Sequence, residues 1–201
     1  MKRRKNLKEG FSMVELILTI AIMAILVGAL TLVVLIYLEK SKESIDLQNM
    51  DHVYKGALTV AGNEKFLESA FSNSSHLHFS DSVDAYSLED ILKEAQRNGA
   101  VDVVDGDYVL TDEAYVSDSW TVQLAEVLGP TYEGYRPKSR HAGAADEAGD
   151  TLCRMFVYVG QDGGVSVWYG PDADSIYITS NGDEAFGLGK HCQDLTQVSE
   201  D

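Results

Sequence analysis

From Leu16 to Leu38 the chain runs 23 residues without a charged side chain. Only Thr19, Gly28, Thr31 and Tyr37 interrupt the apolar pattern. A helix needs about 20 such residues to cross a hydrocarbon core of ~30 Å. A cleavable secretory signal has an apolar region of only about 7–15 residues, followed by a small-residue cleavage site. This run is longer, and its far end, LIYLEKSKES, offers no such site. The pattern predicts one membrane-spanning helix and excludes a simple soluble protein.

Past Leu38 the pattern changes without a Pro break. Glu39, Lys40, Lys42, Glu43, Asp46 and Gln48 enter, while apolar residues recur at Leu47, Met50, Tyr54, Ala57 or Leu58, and Ala61. Gaps of three and four mark one helix face. Gly62-Asn63 is the expected stop. A helix over 11–61 would run about 77 Å at 1.5 Å per residue. Its first half would be apolar on all sides and its second half on one side. That second half needs a folded domain to lie against. A parallel coiled-coil stalk would need sustained heptads, which are missing.

The remaining residues alternate short periodic segments with turn signals. Glu64 to Phe71 extends the helical pattern by a turn or two, and the polar segment after it reads as loop. Ser87 is an N-cap candidate for a helix through Ala95, with acids in its first turn and Gly99 as its C-cap. Ala100–Val104 and Tyr108–Thr111 read as strands joined through Asp105-Gly106, a type I′ hairpin signal. Trp120–Leu128 fits both periods, and the Gly129-Pro130 stop favours helix. The least hydrophobic long stretch, 133–150, is expected to be an exposed loop. Leu152–Val159, Val165–Tyr169 and Ser175–Thr179 are rich in β-branched and aromatic residues, with Gly- and Asp-rich turns between them. They predict an antiparallel three-stranded meander. The fold class is therefore α+β: a long N-terminal spine helix packed on a C-terminal globular head with an antiparallel sheet.

Charge changes this picture more than composition does. The chain has 201 residues and a net charge of −16. Its first ten residues hold five bases and one acid, a net of +4, so the other 191 hold 11 bases and 31 acids, a net of −20. Bases before the apolar run and acids after it place the N-terminus in the cytoplasm and the head outside. The acidic balance argues against nucleic acid as a partner.

Glu15 lies at the start of the apolar stretch, in the string Lys8-Glu9-Gly10-Phe11-Ser12-Met13-Val14-Glu15-Leu16. A charge there is costly and usually has a partner, unless it sits among the headgroups. The whole string resembles the signature of type IV pilins and pseudopilins: a short basic leader ending in Gly, then Phe, then Glu four places on, then an apolar helix. The resemblance covers residues 1 to about 62. It implies cleavage by a prepilin peptidase between Gly10 and Phe11, and N-methylation of Phe11. It also implies that Glu15 pairs with the Phe11 amine of a neighbouring subunit. The implied function is a structural subunit of a pilus, or of a pilus-like filament of type II secretion or competence. Its implied partners are membrane lipid, other pilin subunits, the peptidase and an assembly platform. The domain plan becomes a leader at 1–10, a transmembrane or filament-core helix at 11–38, its amphipathic continuation at 39–62, and the head at 63–201. Many pilins have a Pro within the apolar helix. This chain has none, and only Gly28 offers a place for local melting.

The other chemistry in the sequence is thin. Cys153 and Cys192, both beyond the membrane, could be free thiols or a bridge. A bridge would be worth about 4 kcal/mol in the chain-entropy account, and the resemblance implies a C-terminal disulfide of this kind. Asp172-Ala173-Asp174, Asp183-Glu184 and the acids at 102, 105 and 107 lack the spacing of a calcium loop. His76 and His78 lack a third ligand. Gly187-Leu188-Gly189-Lys190 lacks the strand–loop–helix setting of a phosphate loop. No metal, cofactor or enzyme activity is expected. A membrane-anchored binding or sensing protein that forms no filament remains as an alternative. It leaves the Gly10, Phe11 and Glu15 pattern to coincidence.

Overall fold

The computed structural model describes residues 12–72, 77–79, 85–98, 101–104, 107–110, 119–128, 135–143, 154–182 and 184–198. Helix α1 runs Met13–Ala61, unbroken through Gly28. Contacts divide the chain into two units, Met1–Glu39 and Lys40–Asp201. In the first unit, α1 has an 18-residue window of mean hydropathy 2.8 with none of it buried. Length and composition make it a candidate membrane span.

In the second unit, α1 ends where Gly62 and Asn63 stop it. The Asn63 side chain accepts the Lys65 N–H at 3.0 Å and so caps α2, Glu64–Phe71. Strand β1 is Tyr86–Ser87, and Ser87 then caps α3, Leu88–Arg97, by accepting the Asp90 N–H at 3.1 Å. Strands β2, Val101–Val104, and β3, Asp107–Leu110, pair antiparallel across a two-residue connection, in the expected hairpin register. Trp120–Leu128 is helix α4, as its stop signal suggests. The expected Gly99 cap lies outside the described residues.

Strands β4, Arg154–Val159, and β5, Val165–Gly170, pair antiparallel over six residues. The expected meander stops there. The next strand, β6, Ser175–Tyr177, pairs in parallel with β8, Thr196–Val198, while β7, Gly187–Leu188, takes the free edge of β5. The four-stranded sheet has the order β1-β4-β5-β7. The reason lies in the turn after β5. Gly170 approaches the Ser175 carbonyl so closely that a Cβ there would stand 1.9 Å from it. From this tight turn β6 leaves the sheet. The Tyr169 N–H then donates to Phe186 O at 2.9 Å, and the Phe186 N–H to Tyr177 O at 2.7 Å.

Alternation places the two sides of the sheet in different cores. Met155, Val157, Val159, Val165, Val167 and Tyr169 join the residues of α1, α2, α3 and α4 in the main core. Phe156 and Trp168 face the other way and pack with Ile176 in a second cluster. All six residues of β5 are therefore buried.

The face that α1 presents to this core is displaced from the expected one. The buried positions are Glu43, Asp46, Met50, Val53, Gly56, Ala57, Val60 and Ala61. Leu47 and Tyr54 flank this face, half-buried, and Leu58 is exposed. Gly56 matters because a Cβ there would stand 3.1 Å from the Leu128 side chain, so α4 can lie close.

Candidate processing and assembly site

Gly10 and Phe11, the expected processing residues, lie outside the described residues. Ser12 precedes α1, and its carbonyl accepts the first helical bonds, from Glu15 N–H at 3.0 Å and Leu16 N–H at 3.2 Å. Glu15 stands exposed in the first turn. A carboxylate there meets the positive end of the helix dipole, which stabilises it. Its apolar neighbours Met13, Val14 and Leu16 are exposed as well.

The two threonine hydroxyls of the apolar segment are satisfied internally. Thr19 donates to Leu16 O at 2.8 Å and Thr31 to Val27 O at 2.7 Å. Such bonds back to the helix let hydroxyls sit in an apolar medium. Glu15 is the only acidic or basic side chain between Ser12 and Leu38.

Two acids on the buried face of α1 were not singled out by the sequence. Asp46 is fully buried. It accepts the Lys138 N–H at 2.8 and 3.0 Å and the Ser139 N–H at 2.7 Å. Burial pushes its carboxyl above the usual range, opposed by the Ser139 and Lys138 amides and by the Lys138 charge. Glu43, one turn earlier, accepts the Ser180 N–H and O–H, both at 2.9 Å. Spine carboxylates thus hold two head loops by their amides.

This contact corrects the expectation of an exposed loop over 133–150 for residues 135–143, and the rest of that range lies outside the described residues. Ser139 and Ala142 are fully buried. The Ser139 hydroxyl caps a 3₁₀ turn, Arg140–Ala142, by accepting the Ala142 N–H at 3.1 Å. The Tyr135 hydroxyl donates to Leu128 O at 2.6 Å, and the Tyr169 hydroxyl to Tyr135 O at 2.8 Å. Burial raises the pKa of Tyr135. The only advance signal was the spacing of Val53 and Val60 with Met50 and Ala57. Extended backwards by threes and fours, that face reaches Asp46 and Glu43.

Cys153 lies outside the described residues. Cys192 is a half-buried free thiol within a 3₁₀ turn, His191–Asp194, and donates to Leu188 O at 3.4 Å and Val167 O at 3.7 Å. Burial pushes its pKa up to about 11.

The remaining candidates have local structural roles. Asp172 accepts the Asp174 N–H at 3.1 Å. His78 exchanges bonds with the Tyr86 hydroxyl through its backbone, while His76, Asp105 and Asp183 lie outside the described residues. Gly187-Leu188 is strand β7. Among the described residues, no group of three His, Cys, Asp or Glu could hold a metal.

The family model for the prokaryotic N-terminal methylation motif matches residues 5–31. That span contains Gly10, Phe11 and Glu15 and is the signature of type IV pilins and pseudopilins. No curated protein and no solved structure matches the chain.

Proposed function

We propose that the chain is a structural subunit of a type IV pilus or of a pilus-like filament, such as a type II secretion or competence pseudopilus. The observation that carries this reading is the methylation motif running directly into an apolar helix whose one charge is Glu15. In this reading residues 1–10 are a leader, cut after Gly10 by a prepilin peptidase on the cytoplasmic side, and Phe11 is then N-methylated. The helix over 11–38 holds the subunit in the membrane, with its head outside, until an assembly platform moves it into a filament.

Among packed apolar helices an unpaired carboxylate costs several kcal/mol. The Phe11 amine of a neighbouring copy offsets that cost at Glu15. A buried pair of this kind sets register more than it adds stability. The resemblance also supports a Cys153–Cys192 bridge in the oxidised protein. The role is structural, with no catalytic step.

Intact-mass measurement of protein purified from cells with an active prepilin peptidase tests the reading. The expected product begins at methylated Phe11. A chain retaining Met1–Gly10 would overturn it.

A further inference from the structure

We propose that Asn181 is a site of spontaneous deamidation, and that the hydrogen bonds between Glu43 and Ser180 set how fast it reacts.

The chemistry needs a following residue without a side chain. In an Asn-Gly pair the Gly backbone nitrogen can reach the Asn side-chain carbonyl carbon, because no Cβ stands in the way. The new N–C bond closes a succinimide ring, and the side-chain nitrogen leaves as ammonia, taking the amide proton. Water then opens the ring at either carbonyl. The product is Asp, or its isomer in which the main chain runs through the side-chain carbonyl. One water is consumed and one ammonia released.

The chain has two Asn-Gly pairs, Asn98-Gly99 and Asn181-Gly182. Asn98 is half-buried at the end of α3, where its N–H donates to Glu94 O at 3.2 Å. Asn181 and Gly182 are both exposed. A Cβ on Gly182 would meet nothing within 4 Å, so the surroundings leave room for the ring.

The turn around Asn181 is fastened from two sides. The Gly182 N–H donates to Thr179 O at 2.9 Å, and the Thr179 N–H to Glu184 O at 2.8 Å. The Ser180 N–H and O–H both reach the buried carboxylate of Glu43 at 2.9 Å. Bonds to a charged acceptor are the stronger kind. To react, the Gly182 nitrogen must leave the Thr179 carbonyl, and the peptide between Asn181 and Gly182 must swing toward the Asn side chain. Ser180, next in the chain, cannot follow while Glu43 holds it. The reaction therefore waits for the Glu43 contact to open.

The product acts back on that contact. A new carboxylate at position 181 stands beside Ser180 and repels the carboxylate of Glu43. The isomer also lengthens the turn by one main-chain carbon. A slow chemical event on the surface thus loosens a head loop from the spine helix.

The test follows Asn181 and Asn98 by peptide mass spectrometry while the full chain, in detergent micelles, stands in mildly alkaline buffer. Glu43→Ala should speed deamidation at Asn181 by about tenfold, the opening that a hydrogen bond to a charged group controls. Ser180→Ala, which keeps the backbone bond, should speed it by less. Asn98 should react at the wild-type rate in both variants. If Glu43→Ala unfolds the head, both asparagines will react faster, and Ser180→Ala then decides alone. In the deamidated fraction of wild type, the Ser180 amide should exchange with solvent faster than before. An Asn181 that reacts equally fast in wild type and in folded variants would overturn the proposal, as would one that stays intact in all three proteins.

Discussion

The carboxylate of Asp46 and the backbone N–H of Ser139 meet at 2.7 Å across 93 positions of sequence. One acid on the spine helix thereby determines where a loop of the head must lie. Its neighbour Glu43 does the same for Ser180 over 137 positions.

Replacing Asp46 should show how much this contact matters. Asp46→Ala would leave the Lys138 and Ser139 amides without an acceptor in a buried place. A cost of about 2–4 kcal/mol is expected, since each orphaned buried donor costs about 1–3 kcal/mol. Chemical denaturation of the head in the full chain measures it. A loss below half a kcal/mol would mean that water replaces the carboxylate.

The pH dependence follows from the direction of the Asp46 shift. Its folded carboxyl is raised above 3.8, chiefly by burial. Protonation therefore favours the folded state, and this contribution is fully present below pH 3.8. It fades as pH rises through the folded value. Wild type should lose stability relative to Asp46→Asn as pH climbs from 3.8. Denaturation of both proteins between pH 3 and 7 gives the slope, and the opposite sign would mean that the amide bonds outweigh burial.

Gly170 and Gly189 should be intolerant of substitution. A Cβ at Gly170 would stand 1.9 Å from Ser175 O, and one at Gly189 would stand 2.3 Å from the Ser166 hydroxyl at a φ of 108°. The Ser166 hydroxyl could rotate away, but Ser175 O at Gly170 and Val165 O, 2.4 Å from the Gly189 Cβ position, are backbone and cannot. Ala at either site should destabilise the head by about 2 kcal/mol or more. Thermal melting of the two variants, with Gly182→Ala as an open-space control, measures the effect.

Cys192 should react slowly when reduced. With a pKa near 11, about one thiol in ten thousand is ionised at pH 7. Alkylation of folded, reduced protein should therefore lag far behind that of the unfolded chain. The proposed bridge to Cys153 gives a separate count. Protein from an oxidising compartment, unfolded without reductant, should show no free thiol, and two would exclude the bridge.

Glu15→Val separates assembly from anchoring. The 23 uncharged residues remain, so membrane insertion should be unchanged. Glu15 is in the first unit and the head is in the second, so head folding should not change either. Incorporation into filaments should fall sharply when the variant is the only copy. Comparing sheared filaments with the membrane pool decides this, and normal incorporation would return Glu15 to a headgroup position.

The sequence by itself determined what depends on neighbours along the chain. The apolar run, the stop at Gly62-Asn63, the Ser87 cap and the Asp105-Gly106 hairpin are each set by residues within a few positions of one another. So is the N-terminal methylation motif, which is a contiguous string of residues. Tertiary structure decided the rest. Glu43 and Asp46 look like solvent-facing polar residues until the amides of Ser180, Lys138 and Ser139 arrive from more than 90 positions away. Burying a carboxylate is unfavourable unless donors are in place, so local pattern points such residues outward. Ser175–Tyr177 has the composition of a third meander strand, yet its partner is Thr196–Val198. Pattern identifies a strand, but the choice of neighbour belongs to the turn at Gly170 and to the edge that β7 already occupies.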